Sequence, residues 1–141
     1  MSAPTPRDLA AHWLAIAEGD LATAEAVLGN PRLPSRQVAV LAQQAAEKAI
    51  KGVLVLAGRE PPRSHDLTEL IHLVPMDWRL RAAGIDLAPL TTAMRPARYP
   101  DYFDPPLTRG AVVQLVSDAR AVIEAARGDL ADRGQEQPPA V

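Results

Sequence analysis

Apolar residues recur at helical spacing along three long stretches of the chain. In the first they fall at Leu9, Trp13, Ile16, Ala17, Leu21, Ala24, Val27 and Leu28, a spacing that predicts one buried helix face. Thr5 stands ready as a cap, Pro6 suits the first helical position, and Asp8 complements the positive end of the dipole. Gly29-Asn30-Pro31 then stops the helix. The second stretch, RQVAVLAQQAAEKAIKGVLVLAG, opens at Pro34-Ser35 and runs to Gly58. Leu41, Gln44, Ala45, Lys48, Ala49, Gly52 and Leu56 share one side of it. Gln44 is read as satisfying buried polar groups between helices. The third stretch, RGAVVQLVSDARAVIEAARGDLA, follows a Thr108 cap and carries the stripe Ala111, Leu115, Ala119, Val122, Ile123 and Ala126.

Shorter pieces lie between. Ser64 or Asp66 caps DLTELIHLV, which Pro75 ends. MDWRLRAAG is stopped by Gly84, and Asp86 caps LAPLTTAMR. Met94 to Pro106 reads as an irregular connection. No stretch alternates with period two, so no sheet is expected. The pattern predicts an all-α fold: an up-and-down antiparallel bundle of three long and two or three short helices. One domain spans residues 5–132, with a flexible polar tail at 133–141. The stripes are rich in alanine, which buries little area per residue, so a homodimer that adds burial is expected.

Composition narrows the chemistry. The formal charge of −2 gives no global attraction to nucleic acid or membrane. There is no cysteine, which removes disulfides and thiolate catalysis and fits a reducing compartment. No apolar run approaches the ~20 residues that span a bilayer, and residues 1–8 lack a signal-peptide layout. A cytoplasmic protein with no membrane association is expected.

Candidate chemistry gathers in MRPARYPDYFDPP, Met94 to Pro106, which holds three of the five aromatic residues. Arg95 and Arg98 suit bidentate contact with phosphate, and Tyr99, Tyr102 or Phe103 suit stacking on a base. The alternative is a rigid linker whose rings plug the bundle end and whose Asp101 or Asp104 pairs an arginine. Lys48 and Lys51 lie one turn apart and suit flanking one anion. Equally, Lys51 suits a solvated pair with Glu47, and Lys48 a snorkelling stem or a partner for Asp20. Trp13 and Trp78 read as core. His65-Asp66 resembles half of a metal-binding pair, but only His12 and His72 remain, so no metal and no cofactor is expected.

Three separated pieces carry a family resemblance: QQAAEKAIKG (Gln43–Gly52), PPRSHDLTEL (Pro61–Leu70) and RYPDY (Arg98–Tyr102). With the order Trp13, Ala17, Asp20, Leu21, Ala24, they resemble the HEPN domain over about residues 9 to 130. The resemblance implies a helical bundle, commonly a homodimer. It implies a nucleotidyltransferase partner in a two-component system, sometimes a toxin–antitoxin pair, and sometimes nucleotide binding. Many members are metal-independent ribonucleases with an Arg-x4-6-His motif near the start of the last long helix. Here that place holds Arg98, Tyr99, Pro100 and Asp101, and no histidine follows His72. Losing such a group typically costs ~10²–10⁴-fold in rate. The expectation is therefore a nucleotide-binding or interaction module rather than a robust enzyme. Its candidate site is Lys48, Lys51, His65, Arg98 and Tyr99, with Asp101 positioning Arg98. The alternatives are a divergent ribonuclease toxin using Arg98 and Tyr99 on RNA, and a purely structural dimer.

Overall fold

A computed structural model describes residues 2–98 and 107–133, with backbone alone for 94–98. Among the described residues there are six helices and no strand: α1 (Pro6–Leu28), α2 (Ser35–Leu56), α3 (Leu67–Ile71), α4 (Arg79–Ala82), α5 (Ala88–Arg98) and α6 (Arg109–Arg133). This is the expected all-α bundle. Local chemistry sets most helix ends. Thr5 and Asp8 form a reciprocal capping box, the Asp8 amide donating to the Thr5 hydroxyl at 3.1 Å. The α2 end is fixed by Gly58 at φ +74°, with the Arg59 amide bonded to the Leu54 carbonyl and the Gly58 amide to that of Val55. Asp66, rather than Ser64, caps α3, accepting from the amides of Thr68 and Glu69. Asp86 and Thr108 cap α5 and α6.

The α2 helix runs through the core and packs on α1, α3, α5 and α6. It lies antiparallel to α1: Lys48 meets Asp20, while Gly52 meets Ala10, Trp13 and Leu14. A Cβ at Gly52 would stand 2.9 Å from the Trp13 Cβ, so this crossing needs glycine. The α1 helix is also antiparallel to α6, through Glu25–Arg120 and Glu18–Arg127. The segment α3 to α5 returns the chain to where α6 starts.

Four expectations change. First, the buried stripe of α1 is Ala10, Leu14, Ala17, Leu21 and Ala24, whereas Leu9 and Ile16 are 42% and 39% exposed and Trp13 is half-buried. Second, on α2 the fully buried amide is Gln43, not Gln44, because the buried face is wider than one stripe. Third, Ala111 is exposed and Val112 is buried at the start of α6. Fourth, α5 continues through Pro96 to Arg98, so Met94–Arg98 is helical rather than irregular. Pro96 sacrifices one bond to the Thr92 carbonyl near the helix end.

The last turns of α6 clamp α4. Asp129 is fully buried, and its two carboxylate oxygens accept from the amides of Arg79 (2.8 Å) and Leu80 (2.9 Å). A carboxylate from another helix thus supplies the cap that α4 lacks in its own sequence. Asp132 holds the Arg79 guanidinium, and Arg133 lies 4.5 Å over the Trp78 ring. Trp78 is core, as expected. Residues 134–141, which form most of the expected tail, lie outside the described residues.

Candidate functional site

Gln43, Glu47 and Lys51 occupy successive turns of α2, four residues apart, and so form one line down the helix. Gln43 is fully buried and Lys51 is 9% exposed. The proline-rich segment between α2 and α3 lays His65 across this line. The Glu47 carboxylate is the hub. Its Oε1 accepts from His65 Nδ1 at 2.7 Å and from Gln43 Nε2 at 3.1 Å, and its Oε2 from Lys51 Nζ at 3.2 Å. Gln43 Nε2 also donates to the His65 carbonyl at 3.3 Å. Both partners of that nitrogen are acceptors, so the amide orientation is chemically forced. The Gln43 Oε1 then has no partner among the described residues.

Burial pushes the Glu47 carboxyl up, but hydrogen bonds from His65 and Gln43, together with the Lys51 charge, outweigh it and leave the carboxyl below its ordinary value. An ionised carboxylate only accepts, so His65 Nδ1 carries the proton in this contact. Nε2 takes no part in that contact, and the side chain is 58% exposed. The arrangement orients an imidazole and places an ammonium beside it, which suits phosphate binding or proton transfer.

The predicted residues divide. Lys51 and His65 meet on Glu47. Lys48 points elsewhere and pairs with Asp20 of α1 at 2.6 Å, the partner anticipated for it. The two lysines are therefore held by different carboxylates. The Glu47–Lys51 pair is present but nearly buried, not solvated. Arg98 is the last residue of α5. The Thr91 hydroxyl accepts from the Leu67 amide at 3.3 Å, two residues from His65. The first turn of α5, at Thr91, therefore meets the segment that follows His65. Tyr99 and Asp101 lie outside the described residues, as do Tyr102, Phe103 and Asp104.

Gln43 and the hub role of Glu47 were not anticipated. The four-residue spacing Gln43–Glu47–Lys51 was the available signal; that a loop folds back onto it was not. Among the described residues, no group of three or more His, Asp or Glu is placed to hold a metal, and no helix is long and apolar enough to cross a membrane.

Comparison with known proteins agrees with this architecture. The crystal structure of TT1696 from Thermus thermophilus is similar, with a TM-score of 0.72 and 26% identity over 85% of this chain and 97% of that one. No curated protein gives a significant match. The HEPN domain matches residues 10–129. That span takes in α1, the Glu47–His65 cluster and α6 up to Asp129, and by it the chain belongs to the HEPN domain family.

Proposed function

We propose that this chain is a nucleotide-binding and interaction module, acting as a homodimer with a nucleotidyltransferase in a two-component, toxin–antitoxin-like system. The observation that carries the reading is the His65 imidazole held on Glu47 beside Lys51. In this reading Lys51 and His65 take phosphate oxygens at the cluster, Lys48 and Arg98 are the further candidate cations, Tyr99 is the candidate for stacking on the base, and Asp101 for positioning Arg98. Lys48 and Lys51 already hold carboxylates, so an anion must share or displace those pairs. The exposed side of α1, with Leu9, Trp13 and Ile16, supports the homodimer.

The melting temperature with and without ATP and other common nucleotides tests the binding half. A ligand at a hundredfold excess over its Kd adds about 2.7 kcal/mol to the native state, several degrees for a chain of this size. His65→Ala is expected to abolish the rise. No rise with any nucleotide at millimolar levels sinks that half. Co-purification with a nucleotidyltransferase tests the other.

A second reading, a divergent metal-independent ribonuclease, is favoured by one contact. The Glu47–His65 pair supplies an oriented imidazole to a chain that has no histidine after His72. Metal-free RNA cleavage that is lost in a folded Arg98→Ala variant selects this reading over the first.

A further inference from the structure

Away from that cluster, the structure holds a cavity of about 310 Å³ between α3, α4, the connection into α5, and α6. This sits at the small end of the roughly 300–1,000 Å³ that ligand pockets span, room for a small molecule rather than a polymer. Its floor is apolar, formed by Leu80, Leu87 and Val122, all buried, with Ile85 half-buried on its wall. Its titratable groups are Arg81, Asp86 and His72, whose Nδ1 is held by the Thr68 carbonyl at 2.7 Å.

Arg81 is fixed in place. Its Nη1 donates to the carbonyls of His72 at 2.9 Å and Val74 at 3.1 Å, groups left open beyond the end of α3. Among the described residues nothing accepts from its Nη2 or Nε. Asp86 spends one carboxylate oxygen on the Ala88 amide at the start of α5. Arg81 and Asp86 line the same cavity without pairing with each other. Elsewhere Lys48, Lys51, Arg79, Arg120 and Arg127 each hold a carboxylate. Here an arginine and an aspartate line one cavity together with half-buried apolar walls.

We infer that this cavity binds a free amino acid with a branched aliphatic side chain. The α-carboxylate takes the open N–H groups of Arg81, which suit a carboxylate in bidentate geometry. The α-ammonium takes the second oxygen of Asp86. The aliphatic side chain packs against Ile71 and Ile85, the apolar lining that is only half-buried. A simple anion would meet repulsion from Asp86, and a simple amine would meet repulsion from Arg81; a zwitterion satisfies both. The site is separate from Glu47 and His65, so it stands whether or not nucleotides bind there.

The test is an amide NMR titration of the full chain with L-leucine, leucinamide (no carboxylate) and isocaproate (no ammonium). Saturable shifts at Ile71, Leu80 and Ile85 are expected with leucine, with each analogue about tenfold weaker. Asp86→Asn keeps the capping oxygen and removes the charge. It is expected to weaken leucine about tenfold while leaving isocaproate unaffected or tighter. Ile85→Trp fills the cavity from its half-buried wall and is expected to abolish the shifts while the protein stays folded. Absence of saturable shifts with leucine at tens of millimolar overturns the proposal. So does isocaproate binding as well as leucine with Asp86→Asn silent, which would leave only an anion on Arg81.

Discussion

Asp129 shows how one buried charge can hold an element together. The four residues of α4 are too few to form a helix on their own propensity. Their first two amides point into the bundle, where water cannot satisfy them, and Asp129 accepts from both. Its charge also faces the positive end of that helical turn. Asp129→Ala would leave the Arg79 and Leu80 amides without partners, a loss of roughly 2–6 kcal/mol given ~1–3 for each orphaned donor. Asp129→Asn retains one acceptor and is expected to fall between. Urea unfolding reads both, as a lower midpoint at constant slope. A midpoint unchanged in Asp129→Ala would mean that α4 is held by its Arg79–Asp132 and Arg133–Trp78 contacts alone. Gly52 belongs to the same scale, since its missing Cβ is what lets α1 and α2 meet.

Among the elements, the second helix carries a pH response. The Glu47 carboxyl lies below its ordinary value of 4.5. A depressed carboxylate contributes stability that is fully present above its unfolded value and is lost as pH falls through the folded one. The contribution of the Glu47 hub is therefore expected to disappear below about pH 4.5. Glu47→Gln is expected to melt lower than wild type at pH 7, with the gap closing by pH 3. A gap constant across that range would mean the carboxylate is not the origin of the difference. Elements are also where the sequence was most legible. Thr5, Asp8, Asp66, Asp86 and Thr108 act on backbone within four residues, so their capping is written locally. What was not legible depended on long-range partners. Gln43 rather than Gln44 is buried because the segment before α3 covers that side of α2. Asp129 carries no local signal, and only the distant amides of Arg79 and Leu80 give it a role. His65 was singled out from the family resemblance, but its oriented ring follows from Glu47, 18 positions away.

At the scale of the whole molecule, the apolar surface of α1 has a consequence for assembly. Helical spacing alone assigned Leu9 and Ile16 to the core beside Ala17, Leu21 and Ala24; those three are buried, but the first turns of α1 close over Ala10 and Leu14 instead. The two periodicities lie one position apart, which rotates the apolar arc by about 100°. An arc that wide exceeds what α2 and α6 together cover. Leu9, Trp13 and Ile16 then lie along one ridge, at i, i+4 and i+7. In the proposed homodimer this ridge meets its own copy across a two-fold axis, so each substitution acts twice. Leu9→Arg with Ile16→Arg is expected to convert a dimer of twice the chain mass into a monomer, with helical content unchanged, as read by light scattering and circular dichroism. Neither side chain is buried within one chain, so loss of folding is not the expected result. A wild-type monomer at tens of micromolar would remove the homodimer. A doubly substituted chain that stays dimeric would move the interface off α1, toward the other exposed apolar residues among those described, Leu33, Leu73, Met76 and Val113.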